Sequence, residues 1–218
     1  MPMAIRGKPR FVRDSEATRQ SLLSAGSALF AERGFDGTSV DEIARRARVN
    51  KAMISYHFGG KEGLYGAILA AAAAPAAERL RELATAEIPP VEALTRYIET
   101  FVELTEKNPH FPPMVLRELM EGGRLFDEAF FPHVLAIFGS IRMIIARGIA
   151  LKVFRPVDPL VTHLGVVGSL LFFLVTEGVR ERMEKKGIIP TPRPLPKDFV
   201  AHLKDVTIRG LLAEPPRN

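Results

Sequence analysis

Apolar residues recur three and four positions apart along most of the chain, and no stretch alternates between apolar and polar residues for long enough to predict a β-sheet. Two short repeats of this kind lie within residues 38–61. Ile54 and Phe58 form one of them, four residues apart, and the other consists of Val40, Ile43, Ala44 and Ala47. The pattern predicts an all-α chain with two short helices close together near its N-terminal end.

Polar residues mark where these two helices begin. Ser39 and Glu42 have the spacing of a capping box, in which the serine oxygen accepts a hydrogen bond from a free backbone N–H and the glutamate reaches back. Asn50 is a favoured N-cap, so a second helix is expected over residues 51–58. Two helices joined by so tight a turn form a helix-turn-helix, whose second helix can enter the major groove of DNA.

A longer helix is predicted before this motif, over residues 15–33. Gly34 follows its charged last turn, as expected of a left-handed residue that ends a helix, and Phe35 can fold back onto it. Four basic residues precede the helix in a segment that contains glycine and proline: Arg6, Lys8, Arg10 and Arg13. This basic arm has two open interpretations, a solvated tail or an arm that contacts the phosphates or the minor groove of DNA.

The helix that starts at Lys61 runs into the alanine-rich residues 70–77, which contain Pro75. A proline inside a helix removes a hydrogen bond and clashes with the preceding turn. A kink or a restart near Ala74 is therefore expected, with a simple helix end as the alternative. Later helices are predicted over residues 91–107, 112–120, 126–148 with a bend at Pro132, and 157–185, and a proline-rich loop at 190–196 precedes the last helix.

Residues 160–175 are almost entirely apolar, which raises the question of a membrane span. A span needs roughly 20 apolar residues, and this run is shorter and contains His163. A helix that is apolar on all sides is otherwise buried in a core or against a partner. No membrane association is expected, and Gly165, Gly168 and Ser169 would allow another helix to approach closely.

The formal net charge of +5 is unevenly distributed. Residues 1–66 contain 11 Lys and Arg against 7 Asp and Glu, whereas the other residues contain 19 against 18. A basic N-terminal module on a nearly neutral remainder suits binding to phosphates. The chain has no cysteine, which excludes disulfides and thiolate metal sites, and no secretory signal is expected because no apolar stretch follows the first basic residues. These features fit a cytoplasmic protein.

Residues 30–69, FAERGFDGTSVDEIARRARVNKAMISYHFGGKEGLYGAIL, resemble the DNA-binding segment of the TetR family of transcriptional regulators. The similarity extends over about residues 18–69. It implies an N-terminal three-helix helix-turn-helix DNA-binding domain, which with the basic arm comprises residues 1–66, and a C-terminal helical bundle for ligand binding and dimerisation at residues 67–218. The DNA-binding residues that the resemblance predicts are Thr38, Ser39, Arg48, Asn50, Lys51, Ala52, Ser55, Tyr56, His57 and Lys61.

Three positions depart from the family pattern. Arg48 stands where the family commonly has glycine, and a non-glycine residue in a left-handed turn would be mildly strained. Met53 and Ser55 replace the family's common threonine and tyrosine, so the family's contacts cannot be transferred to these two positions. Four residues do match, and the resemblance implies that they hold phosphates or the groove wall: Lys51, Tyr56, His57 and Lys61. For Tyr56 and His57 the alternative is a place at the edge of the core.

The resemblance also implies an effector pocket and a dimer interface in the second domain. The candidates for the pocket are apolar side chains that could equally belong to the core: Phe101, Phe111, Met114, Phe126, Phe130, Met143 and Phe172. In the family the last two helices of each subunit build a four-helix dimer bundle. The corresponding residues here are Leu164, Val167, Gly168, Leu171, Val175, Phe199, Leu203, Val206 and Gly210.

Nothing in the sequence indicates an enzyme. Four further histidines, His110, His133, His163 and His202, are far apart without metal-ligand spacing, and no nucleotide-binding loop or nucleophile motif is present. No metal and no cofactor are expected. The predicted function is a dimeric DNA-binding regulator, a repressor that a small apolar or aromatic effector releases from a palindromic operator in double-stranded DNA. A helical enzyme or carrier with an incidental helix-turn-helix, and an activator of the same family, are the alternatives.

Overall fold

Ten α-helices form the described part of the chain, which in this computed structural model comprises residues 10–126, 128–189 and 196–213. In chain order they are α1 (Arg10–Arg33), α2 (Val40–Ala47), α3 (Ala52–Phe58), α4 (Lys61–Thr85), α5 (Pro90–Lys107), α6 (Phe111–Met120), α7 (Phe131–Ala150), α8 (Pro159–Val175), α9 (Glu177–Lys185) and α10 (Pro196–Leu211). These residues contain no β-strand, and an isolated antiparallel bridge pairs Phe154 with Leu212. The predicted all-α fold is confirmed.

The first helix is longer than predicted. α1 begins at Arg10 rather than at residue 15. The last proline of the basic arm, Pro9, comes directly before this start, so no proline interrupts the helix further along. Arg10 and Arg13 are therefore part of a helical backbone, while Arg6 and Lys8 lie outside the described residues.

Two apolar cores divide the bundle, and α4 contributes to both. The first core lies among α1, α2, α3 and the N-terminal half of α4, and it also receives Met114 of α6 and Leu171 of α8. The second core lies among the C-terminal half of α4 and helices α5, α7, α8 and α10. The predicted domain boundary between residues 66 and 67 therefore falls inside one continuous helix.

α4 continues through Pro75, so the predicted restart near Ala74 and the alternative of a helix end are wrong. Pro75 is exposed, and so is Ala71, whose carbonyl lacks its usual helical partner because residue 75 has no N–H. Water can satisfy that carbonyl on the solvent side of the helix. On the other side Ala72 and Ala76 are buried, and these small side chains let α4 pack closely in the second core.

α7 begins at Phe131, later than the predicted start at residue 126. Pro132 lies in its first turn, where a missing N–H costs no helical hydrogen bond, so the predicted bend at this proline is wrong. By length and composition α7 is apolar enough to cross a membrane, and 33% of its apolar window is buried within the protein. Its fully buried residues Ile141, Ile144 and Ile145 belong to the second core.

The single helix predicted over residues 157–185 is two helices, α8 and α9, bent by 53° around Thr176. The Thr176 hydroxyl donates to the carbonyl of Phe172 at 2.7 Å, and Arg180 donates to the carbonyl of Phe173. The Thr176 hydroxyl also lies 3.3 Å from the Phe173 carbonyl, which a continuing helix would use for the N–H of residue 177, whereas the Phe172 carbonyl still accepts the N–H of Thr176 at 3.2 Å. Of the loop predicted at residues 190–196, only the last residue, with which α10 begins, lies within the described ranges.

A polar pair joins two helices of the second core, with Tyr97 fully buried and His163 half-buried. The Tyr97 hydroxyl and Nδ1 of His163 lie 2.7 Å apart and join α5 to α8. The rings of Phe101 and Phe138 have their centroids 6.0 and 6.2 Å from that of His163. Burial raises the pKa of Tyr97 and lowers the pKa of His163. Near pH 7 the pair is therefore a hydrogen bond between a neutral phenol and a neutral imidazole.

The free energy of unfolding should decrease as the pH falls from about 7.5 to about 5.5, in part because of His163. Its pKa in the folded state is lowered from an unfolded value of about 6.5, so the unfolded chain binds the proton more readily. The stabilisation is present above the unfolded pKa and is lost as the pH falls through the folded pKa. In urea denaturation, His163→Gln should show a smaller pH dependence than the unmodified protein. The same change at the exposed His202 is the control, and an undiminished pH dependence in His163→Gln would contradict this assignment.

Candidate nucleic-acid interface

α2 begins with the predicted capping box. Ser39 Oγ accepts the N–H of Glu42 at 3.2 Å, and Oε2 of Glu42 accepts the N–H of Ser39 at 3.3 Å. Oε1 of the same carboxylate accepts from Arg33, at the end of α1, at 2.6 Å. Hydrogen bonds from Ser39, and then from Arg33, hold the pKa of Glu42 below its usual value. The ionised carboxylate thus fixes the start of α2 to the end of α1.

The turn between α2 and α3 contains a left-handed residue, Arg48, with φ 58° and ψ 40°. Its N–H donates to the carbonyl of Arg45 at 3.2 Å, and the N–H of Val49 donates to that of Ala44 at 3.0 Å. This is the conformation that glycine adopts without strain, so the strain expected of a non-glycine residue is present. The Arg48 side chain is exposed, and no packing offsets the strain.

The second helix of the motif, α3, is capped by Asn50 as predicted. Asn50 Oδ1 accepts the N–H of Ala52 at 2.9 Å, and its carbonyl accepts the N–H of Met53 at 3.0 Å. Ile54 is fully buried and holds α3 on the first core. The recognition surface, which we define as the exposed residues of this segment, lies on the other side and consists of Lys51, Ala52, Ser55 and Tyr56.

Some predicted DNA-binding residues lie away from the recognition surface. Thr38 is buried, and its hydroxyl donates to the carbonyls of Gly34 at 2.8 Å and Leu29 at 3.2 Å, so it holds the turn between α1 and α2. His57 is half-buried, and its Nε2 is buried without a hydrogen-bond partner in the described part of the chain. Of the other predicted residues, Lys61 is half-buried, and those exposed beside the recognition surface are Ser39, Arg48 and Asn50.

The two lysines predicted to bind phosphates each have a neighbour that the sequence did not indicate. Nζ of Lys51 lies 3.0 Å from a carboxylate oxygen of Asp41, and both side chains are largely exposed. An exposed ion pair contributes at most about 1 kcal/mol and is screened by salt, so a DNA phosphate can replace Asp41. Nζ of Lys61 lies 4.2 Å from the centroid of the Phe35 ring. These contacts join residues that are 10 and 26 positions apart in the sequence, and no local spacing reveals them.

The seven residues predicted to line an effector pocket do not come together in one place. Phe111, Met114, Phe126 and Phe130 meet in the first core, where the centroid of the Phe130 ring lies 4.8 Å from that of Phe126 and 6.3 Å from that of Phe111. Phe101 belongs to the second core. The remaining two, Met143 and Phe172, are 47% and 67% exposed. In the described ranges, no group of three or more His, Cys, Asp or Glu side chains could hold a metal ion.

The residues predicted for the dimer interface divide between surface and core. Leu164, Val175 and Val206 are exposed, together with Gly168 and Gly210, whereas Val167 and Phe199 are half-buried. Leu171 and Leu203 are buried within the chain's own cores. Phe172, which was predicted for the pocket, lies on the exposed side of α8 four residues after Gly168. Because α8 is apolar on all sides, its sequence does not indicate which side faces outward.

Replacing Arg48 with glycine should stabilise the fold. The substitution removes a left-handed strain of roughly 1 kcal/mol, part of which is offset because glycine increases the entropy of the unfolded chain. We expect the Tm to rise by about 1–3 °C. Arg45→Gly is the matched control, because Arg45 is exposed in the right-handed part of α2 and glycine there should lower the Tm. A lower Tm for Arg48→Gly would show that the turn is not strained.

Two family models match the chain. Residues 22–68 match the model for bacterial regulatory proteins of the tetR family, and residues 90–183 match that for the tetracyclin repressor-like C-terminal domain. The HTH-type transcriptional repressor NicS of Pseudomonas putida is 24% identical over 199 residues, which are 90% of this chain and 93% of NicS. The HTH-type transcriptional regulator RutR of Escherichia coli is 28% identical over 147 residues, which are 66% of this chain and 67% of RutR.

The fold is shared with a solved structure of the same kind. PfmR, a TetR family transcriptional regulator from Thermus thermophilus, superposes with a TM-score of 0.65 at 23% identity, over 86% of this chain and 97% of PfmR. The helix-turn-helix, the ten-helix architecture and the two family models agree, and the chain belongs to the TetR family of bacterial regulatory proteins.

Proposed function

We propose that the protein is a DNA-binding transcriptional repressor, which a small, largely apolar molecule releases from a palindromic operator. The observation that carries the proposal is the recognition surface on α3, which faces solvent while Ile54 on the opposite side of the same helix is fully buried. A second helix that is held in this way can lie in the major groove with its exposed side chains at the base edges. Such a regulator acts in the cytoplasm, where bacterial DNA lies.

The recognition surface and the basic residues beside it would contribute differently to binding. Lys51, Lys61 and Arg48 would neutralise phosphates, which sets the affinity and its salt dependence but not the sequence preference. The hydroxyl groups of Ser55 and Tyr56 can bond to base edges or phosphates, and the methyl group of Ala52 can contact that of a thymine. The sequence preference would therefore lie mainly with α3, and the affinity with the basic residues at its two ends.

A palindromic operator requires a dimer, and α8 and α10 supply an exposed apolar surface for it. Leu164 and Phe172 on α8 are 59% and 67% exposed, and Val206 on α10 is 54% exposed. A cleft of about 400 Å³ is lined by residues of both helices, among them Val161, Gly165 and Val206. A second copy that packs against this surface would remove its apolar groups from water. The pair of recognition surfaces would then have to lie roughly 34 to 36 Å apart to fit successive turns of the major groove.

An effector would act by changing the distance between the two recognition surfaces of the dimer. Phe111, Phe126 and Phe130 form an aromatic cluster around Met114 in the first core, which suits an apolar or aromatic molecule. α4 contributes to the core that this cluster shares with the DNA-binding helices, and it continues without a break into the second core. A molecule that binds better to a conformation with displaced recognition surfaces would lower the affinity for the operator.

Replacing Lys51 or Lys61 with alanine should weaken binding to all duplexes alike and reduce the slope of log affinity against log salt concentration by about one. The operator would first be found by footprinting on fragments of the parent genome. Binding would then be measured by fluorescence anisotropy over a series of salt concentrations. Lys107→Ala is the control, because this lysine is as exposed as Lys51 but belongs to α5. Absence of sequence-selective binding by the unmodified protein would refute the proposed function.

Leu164→Glu should disrupt the dimer, because it would place a charge without a partner in the middle of the proposed interface. We expect sedimentation velocity to show a monomer at concentrations at which the unmodified protein is a dimer. Leu151→Glu is the matched control, because Leu151 is 61% exposed but lies outside α8 and α10. Leu171 is unsuitable for this test, since it is buried in the chain's own core. A dimeric Leu164→Glu variant would place the interface elsewhere.

A further inference from the structure

α6 is joined to the end of α1 by a side chain that is not part of the recognition surface. Nη1 of Arg117 donates to the carbonyl of Phe30 at 3.0 Å, which connects residues 87 positions apart in the sequence. The same carbonyl accepts the N–H of Gly34 at 2.9 Å, the bond that ends α1. A cation at the C-terminal end of a helix is also favoured by the helix dipole.

Gly34 leaves the space that this guanidinium occupies. It has a φ of 77°, and a Cβ atom at this position would lie 2.7 Å from Nη1 of Arg117. Glycine is therefore needed both for the left-handed turn and for the space that Arg117 occupies. This close fit indicates that the contact between Arg117 and the turn at Gly34 is a specific part of the packing of α6 against α1.

Two further contacts hold the same turn from the α6 side. The guanidinium of Arg124, after α6, lies 6.0 Å from the centroid of the Phe35 ring. The ring of Tyr65 on α4 lies edge-on to that of Phe35, with 5.5 Å between the centroids, and the Tyr65 hydroxyl donates to the carbonyl of Met114 at 3.4 Å. Burial, together with the nearby Glu118, raises the pKa of Tyr65 to about 12, so the phenol remains a donor. We call Arg117, Arg124 and the Met114 carbonyl the α6 clamp.

The turn that the α6 clamp holds leads directly into the DNA-binding motif. The carbonyl of Gly34 accepts the hydroxyl of Thr38 at 2.8 Å, and Thr38 immediately precedes Ser39, the N-cap of α2. Arg33, just before the turn, bonds to Glu42 within α2. A displacement of the turn must therefore move the start of α2, because a hydrogen bond weakens steeply when its donor and acceptor move apart.

We propose that Arg117 is the positioning residue that sets the orientation of the helix-turn-helix relative to the second domain. Besides α4, the DNA-binding helices are attached through apolar contacts with Met114 of α6 and Leu171 of α8, and the bond from α6 to α1 adds a directional attachment that limits pivoting. A movement of α6 by about 1 Å would lengthen the bond beyond hydrogen-bonding distance and free this pivot. The inference deepens the proposed function, on which it rests, since it names the side chain that fixes the turn before the DNA-binding motif to α6.

The test compares Arg117→Ala with Arg81→Ala, which removes an exposed arginine from the far half of α4. Amide hydrogen exchange of the full chain without DNA should be faster by about tenfold for residues 34–44 in Arg117→Ala. Exchange within α5 and α8 should be unchanged, and Arg81→Ala should match the unmodified protein throughout. Operator affinity should fall in Arg117→Ala while the salt slope stays the same, because Arg117 touches no phosphate.

Three results would overturn the proposal. Equally accelerated exchange in α5 and α8 would show that Arg117 only stabilises the whole fold. A salt slope reduced by about one would show that it binds a phosphate instead. Unchanged exchange at residues 34–44 would show that Arg117 does not hold the turn between α1 and α2. If Arg117→Ala does not fold, Arg117→Lys should show a smaller acceleration confined to the same residues. The exchange measurements need no DNA, so the absence of an operator would refute the proposed function and leave this result intact.

Discussion

The structure depends on one helix that is buried in two cores at once. α4 contributes Leu64, Ile68 and Leu69 to the core of the DNA-binding helices, and Ala76 and Leu80 to the core of the bundle. Its central residues are mostly alanines, which lose little side-chain entropy in a helix and allow neighbouring helices to approach closely. The two parts of the chain therefore cannot separate without exposing apolar surface along α4. Other contacts between them, including those of α6, adjust an orientation that α4 already restricts.

Local signals in the sequence were sufficient for the DNA-binding half. The capping box of Ser39 and Glu42, the Asn50 cap and the glycine that ends α1 act over a few residues, and each is formed as the spacing predicts. Their physical causes are local hydrogen bonds and backbone sterics, which do not depend on distant parts of the chain. The exposed residues of α3 follow from the same reasoning, since Ile54 fixes which side of the helix faces the core.

The bundle was less predictable because its helices are apolar on several sides. Spacing alone did not reveal that Leu171 is buried in the chain's own core or that Phe172 faces solvent. The break at Thr176 depends on a side-chain rotamer that bonds to a backbone carbonyl, and Pro75 is tolerated because it lies on the solvent side of α4. Nor could Arg117 be singled out from the sequence, because its partner Phe30 is distant in the chain. Each of these outcomes is decided by tertiary packing.

The pair of Tyr97 and His163 also limits what the bundle can accommodate. Between them the two side chains use one donor and one acceptor, and aromatic rings surround the imidazole. A molecule that entered between α5 and α8 and separated them would leave both groups without partners in a poorly solvated space. A pure hydrocarbon offers no replacement, whereas a ligand with an alcohol, amide or similar group can satisfy either side. The pair therefore adds a directional polar contact to an otherwise apolar bundle, so that opening the space between α5 and α8 costs more than the loss of apolar packing alone.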